Sequence, residues 1–164
     1  MHTYKKLLLV LNFIICPIHA THPIRVYVDM VADLFHFGHV QFLKQAKAHG
    51  DYLIVGLTAD EDVARYKRTP ILNVEERAQS VSGCKYVDEV IPNCPYCITK
   101  EFIEEHNIDL VIHGDDMSKA NLDYFYAVPI SMGIFKTVPY TETISTTDLL
   151  TRIFDRGREN LLKK

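Results

Sequence analysis

The chain of 164 residues has no basic cluster, and its formal net charge is −3. A surface for nucleic acid or another polyanion is therefore not indicated. No internal repeat and no low-complexity tract interrupts it. No apolar run is long enough for a comfortable membrane span. Cysteine is scarce, with Cys16, Cys84, Cys94 and Cys97 the full set. Cys16 lies near the N-terminus, and an odd number remains, which argues against a disulfide framework. Cys94 and Cys97 form a CxxC pair without a matching second pair, so a zinc site is not expected. What is present is ordinary: 48% hydrophobic and 24% charged residues, in a chain long enough for one domain with its own core.

The first twenty residues stand apart. Lys5-Lys6 precede the short apolar stretch Leu7–Cys16, and Pro17, Ile18, His19 and Ala20 follow. This order reads as a signal peptide or an N-terminal anchor over residues 1–20, and it raises an expectation of membrane association or the secretory pathway. The domain proper is expected over 24–156, with a charged, frayed tail at 157–164.

From Arg25 onward strand and helix patterns alternate. Arg25–Asp29 is short, β-branched and apolar, as a buried strand is. Val40, Leu43, Ala46 and Ala48 fall at helical spacing, and Gly50 suits the left-handed position past a helix end. Tyr52–Leu57 is a second strand. Thr58 and Glu61 have capping-box spacing, and so do Asn73 and Glu76. Strands are expected at Val87–Ile91, Asp109–His113 and Ile134–Val138. Helices are expected at Thr99–His106, around Tyr124–Met132 and at Ser145–Arg156. The alternation predicts an α/β domain with a five-stranded, Rossmann-like parallel sheet and helices on both faces. Ligands of such sheets bind beyond the carboxyl ends of the strands.

One stretch occupies that edge: Asp33-Leu34-Phe35-His36-Phe37-Gly38-His39, between the first strand and the first helix. Free backbone N–H groups and the helix dipole favour an anion there. Gly38 removes a side chain that would keep a phosphate from the backbone. His36 and His39 would act as hydrogen-bond donors, protonated or donor-oriented.

Asp33-x-x-His36-x-Gly38-His39 resembles the HxGH signature of the nucleotidyltransferases, within them the cytidylyltransferases acting on phosphoethanolamine, phosphocholine or glycerol 3-phosphate. The resemblance runs from about Arg25 to Ile153. It includes Gly50–Gly56, Tyr86–Pro92, His113-Gly114-Asp115-Asp116 and Ile144–Asp148. It implies transfer of CMP from CTP to a phosphomonoester, with phosphoethanolamine preferred, and Mg²⁺ carried on the CTP phosphates rather than by protein ligands. It also implies a homodimer and access to cytosolic CTP, at odds with the leader-like segment. His36, His39 and Lys67 take the catalytic places. Asp33, Gly38, Arg77, Ser145, Thr146 and Thr147 match nucleotide- and phosphate-binding positions, although Arg77 also suits a structural pair with Glu75 or Glu76. Tyr96, His113, Asp115 and Asp116 match the substrate end, where Tyr96 suits a cation–π contact with an amino-alcohol.

The pattern departs from the family at Met30 and Thr143, where glycine is usual, and at Tyr140, where arginine is usual. Lys136 and Arg152 are candidate substitutes for that cation. Two other classes follow from the residues. One is a nucleotide-binding relative without turnover. The other is a glutaredoxin-like thiol–disulfide oxidoreductase, since Cys94-Pro95-Tyr96-Cys97 precedes a predicted helix and Thr137-Val138-Pro139 comes later.

Overall fold

The computed structural model describes residues 22–141 and 144–162. The segment 1–20, with Cys16, and the departure at Thr143 lie outside the described residues. In chain order the elements are β1 (Arg25–Met30), α1 (Phe37–Lys47), β2 (Tyr52–Thr58), α2 (Asp60–Ala64) and α3 (Val74–Ser82). They continue as β3 (Glu89–Cys94), α4 (Lys100–Glu105), β4 (Leu110–Gly114), α5 (Lys119–Phe125), α6 (Ala127–Ser131), β5 (Phe135–Val138) and α7 (Thr146–Leu162). The strands form one sheet in the order β3-β2-β1-β4-β5, and every pairing is parallel.

Alternation along the strands builds a core on each face of the sheet. Val26 and Val28 of β1 and Leu53, Val55 and Leu57 of β2 pack with Leu43 and Ala46 of α1 and Val74 and Val81 of α3. The intervening Tyr27 and Ile54 point the other way, to Phe102 and Ile103 of α4 and to Tyr126. The order reverses between β1 and β4, so the carboxyl ends of these two strands frame the crevice that this topology offers to a ligand.

Several expectations are corrected. Thr58 belongs to β2, and α2 is capped by Ala59 without a side-chain hydrogen bond. Gly50 does not take a positive φ; a side chain there would come within 2.7 Å of the Ile24 carbonyl oxygen, so close packing requires the glycine. β3 begins later than the apolar run suggests and accommodates Pro92 because it is an edge strand. The helix expected over Tyr124–Met132 is two short helices. Pro129 has no N–H for the Phe125 carbonyl, and Ile98 N–H donates to that oxygen instead, at 3.3 Å. The last helix runs past Arg156 to Leu162, into the expected tail. Among the described residues no helix is long and apolar enough to cross a membrane.

Candidate active site

A cleft of about 860 Å³ opens at the carboxyl ends of β1 and β4. Its walls bring together the turn Met30–Asp33, the head of α1, the Lys67–Pro70 loop, the segment after β4 and the head of α7. His36, Gly38, His39, Lys67, Asp33, His113, Asp116, Ser145, Thr146 and Thr147 all line it. Met30 and Tyr140 line it too.

The two histidines are fixed by the backbone of their own helix. His36 is the N-cap of α1, and its Nδ1 accepts the Gly38 N–H at 3.1 Å. His39 returns the arrangement by accepting the His36 N–H at Nδ1, at 3.2 Å. The pair is a capping box made of two imidazoles, with ring centroids 3.8 Å apart. An Nδ1 that accepts cannot carry a proton, so the hydrogen sits on Nε2 in each ring. Burial lowers the pKa of His36, opposed by the Asp148 carboxylate. Burial, with His36 and Lys67 nearby, pushes His39 down to about 3, against the pull of Asp33. The donors expected from sequence are therefore neutral Nε2–H groups and not imidazolium. Gly38 has a local reason as well, since a Cβ there would stand 3.0 Å from both the His36 ring and the Ile144 carbonyl oxygen.

The remaining expected residues separate. Asp33 is 4% exposed. Its Oδ1 accepts the N–H groups of Ile71 and Leu72, each at 3.1 Å, so it ties the Lys67–Leu72 loop to the head of α1. A buried anion with these partners fixes the loop backbone rather than presenting its charge to a ligand. At α7, Ser145 and Asp148 exchange cap hydrogen bonds of 2.8–3.1 Å, and Thr146 Oγ1 donates to the Asp33 carbonyl at 3.0 Å. Lys67 is exposed on the cleft wall.

Arg77 is placed differently from both of its sequence readings. It is fully buried and donates to the carbonyls of Leu72, Val31 and Thr58 and to the Asp60 carboxylate. Glu76 instead closes a capping box with Asn73. Asp115 and Tyr96 do not line the cleft. Asp115 accepts the Tyr140 N–H at 2.8 Å, and Tyr96 packs edge-on against Phe125. Of the candidate cations, Lys136 lies beside His49 on the edge strand and Arg152 is exposed along α7; neither lines the cleft.

Two charged lining residues were missed. Asp29 stands near the carboxyl end of β1, and Tyr126 donates to its Oδ1 at 2.6 Å. A charged residue ending an apolar central strand was the available signal. Arg68 follows Lys67 in the same loop. The CxxC pair lacks the setting that would activate a thiol. Cys94 is a buried residue of β3 whose thiol burial pushes up to about 12, and burial raises Cys97 as well. Neither thiol sits at a helix head, since α4 starts at Lys100.

A parallel α/β sheet with HxGH at the head of its first helix, facing a cleft at the switch point, is the arrangement of the nucleotidyltransferase class. The cytidylyltransferase-like family model matches residues 30–152, and the chain belongs to that family. It is 42% identical over 141 residues to the ethanolamine-phosphate cytidylyltransferase of Dictyostelium discoideum, covering 85% of this chain and 39% of that protein. It is 45% identical over 134 residues to choline-phosphate cytidylyltransferase A of Homo sapiens, covering 80% of this chain and 36% of the relative. The chain thus spans well under half the length of these relatives. Among solved structures, the lipopolysaccharide core biosynthesis protein of Thermoplasma volcanium GSS1 is similar with a TM-score of 0.61 and 27% identity, over 75% of this chain and 100% of that one.

Proposed function

We propose that the chain transfers CMP from CTP to a phosphomonoester, with phosphoethanolamine the favoured acceptor, and releases pyrophosphate. The observation that carries this reading is the imidazole capping box, which leaves two neutral Nε2–H donors on the cleft wall beside Lys67. Family membership and the similarity to ethanolamine-phosphate and choline-phosphate cytidylyltransferases support it.

In this reaction an oxygen of the acceptor phosphate attacks the α-phosphorus of CTP. The new P–O bond forms as the bond to the pyrophosphate oxygen breaks, and no side chain becomes covalently attached. His36 and His39 donate from Nε2 to oxygens of the transferring phosphoryl group, and these bonds strengthen as negative charge builds there. Both rings are already held by the backbone, so little reorganisation is needed at the moment of transfer. Lys67 meets the phosphates as a mobile point charge. The N–H groups at the head of α7 offer a further place for phosphate, held in position by Ser145 and Thr146. Asp29, Asp116 and His113 supply polar groups suited to an ammonium-bearing acceptor.

Among the described residues no three His, Cys, Asp or Glu side chains gather to hold a metal ion. A divalent cation, Mg²⁺ by family resemblance, fits here as a companion of the triphosphate, whose charge it neutralises.

The test uses the full chain with Mg²⁺ and CTP, offered phosphoethanolamine, phosphocholine or glycerol 3-phosphate in separate reactions. Pyrophosphate release and product mass are followed. CDP-ethanolamine should form fastest and disappear in His39→Asn. A different preferred product reassigns the acceptor. CTP binding with no product from any acceptor overturns the reading and leaves a nucleotide-binding relative.

A further inference from the structure

The cleft has a charge deficit. Among the described residues lining it, Lys67 and Arg68 are the lysine and arginine present, against the carboxylates of Asp29, Asp33 and Asp116. His36 and His39 add no charge, because each holds an acceptor Nδ1 atom. A triphosphate entering this cleft is multiply charged, and one lysine does not balance it.

Arg68 is placed to answer that deficit. Its guanidinium lies 3.6 Å from Asp33 Oδ2, too far for a hydrogen bond. Oδ2 is itself buried and takes no hydrogen-bond partner. A guanidinium serving only as counter-ion to a buried carboxylate would close to a bidentate contact at hydrogen-bond distance. Here the Arg68 side chain remains 43% exposed on the cleft wall, tethered by charge, with its planar fork of donors unspent on Asp33.

The segment around Asp33 sets where Arg68 stands. Ala32 and Leu34, on either side of Asp33, both take left-handed backbone conformations, with φ of 57° and 48°. Such conformations persist only where the surroundings hold them. The holding contacts are those of Asp33 with the backbone after Arg68 and with the head of α7. The turn that presents the histidines therefore also anchors the loop that carries Arg68.

We propose that Arg68 is a second phosphate-binding cation, held ready beside Asp33 and engaging the β- or γ-phosphate of a bound nucleoside triphosphate. This rests on reading the cleft as a nucleotide site, but not on turnover.

The test compares the affinities of CTP and CMP for the full chain by calorimetry, in wild type, Arg68→Gln and Arg68→Lys. A contact to the outer phosphates predicts that Arg68→Gln weakens CTP by about tenfold or more, the loss of one charge-assisted contact, and leaves CMP unchanged. Arg68→Lys should recover part of the CTP affinity. Equal weakening of both ligands, or of neither, overturns the proposal. Wild-type protein gives an independent measurement if Arg68→Gln folds poorly. Butanedione labelling followed by mass mapping should show Arg68 protected by CTP and not by cytidine, with Arg65, paired to Asp62 and outside the cleft lining, as the unprotected reference. Equal labelling of Arg68 with either ligand overturns the proposal. Preference for CTP through Arg68 without product from any acceptor supports this inference while removing the transfer reading.

Discussion

His39 accepts the backbone N–H of His36 through Nδ1 at 3.2 Å, while His36 accepts the Gly38 N–H at 3.1 Å. Each imidazole thus divides its two nitrogens between tasks. Nδ1 finishes the helix, and Nε2 remains for a ligand. The division makes the structural and chemical roles separable by mutation. Asparagine has an acceptor oxygen near the position of Nδ1 and nothing near Nε2. His36→Asn should keep the melting temperature close to wild type while lowering turnover by about 10²-fold or more, the scale for losing a donor to a developing oxyanion. His36→Ala loses the cap too, at a cost of about 1 kcal/mol. Thermal melts and steady-state rates on both variants check this. Full activity in His36→Asn would remove the histidine from the chemistry.

The same geometry fixes a pH dependence. The folded chain holds His39 at about 3, chiefly by burial, while an unfolded histidine titrates near 6.5. Between these values the unfolded state binds the extra proton. Stability from this group is therefore fully present above about pH 6.5 and is lost as pH falls toward 3, by at most about 2 kcal/mol at pH 5. Urea unfolding of wild type and His39→Asn between pH 8 and 4 should show a shallower acid slope in the variant. Equal slopes would mean that His39 takes up its proton as readily in the fold as in the unfolded chain.

The order of elements was legible because the strands are buried on both faces and read as short apolar runs, as Arg25–Asp29 and Tyr52–Leu57 do. Caps such as Asn73 with Glu76 were legible because they act within four residues. What sequence could not show depends on distant partners. Arg77 carries a surface residue's composition and a core residue's environment, and its partners Val31 and Asp60 are placed by the sheet. Asp33 was legible as a site residue, but its role was not, because that role lies in backbone N–H groups nearly forty positions away. The surroundings of Tyr96 and the CxxC pair were not legible either, because they depend on how the end of β3 packs: the chain buries Cys94 and Ile98 there among residues of α4 and β4.

The thiols should be inert. Burial lifts Cys94 to about 12 and raises Cys97, so almost no thiolate exists at neutral pH, and the thiolate is the reactive form. Mass-resolved alkylation at pH 7 should leave Cys94 unlabelled in the folded chain, and glutathione-dependent disulfide reduction should be undetectable. Rapid labelling of Cys94 would reopen the redox reading.

Arg77 should matter to the fold and only indirectly to the cleft. Its guanidinium is fully buried and gathers the end of β2, the turn after β1, the loop before α3 and the Asp60 carboxylate. Removing the guanidinium leaves three backbone carbonyls without their donor, at a cost of about 1–3 kcal/mol. Asp60 is partly exposed and can turn to water. Arg77→Met fills much of the volume but leaves Asp60 and the carbonyls without their donor. Equilibrium urea unfolding should show a loss of that size. CTP affinity per folded molecule should change far less, because the guanidinium does not line the cleft. A stable Arg77→Met with abolished CTP binding would instead return Arg77 to the phosphate site.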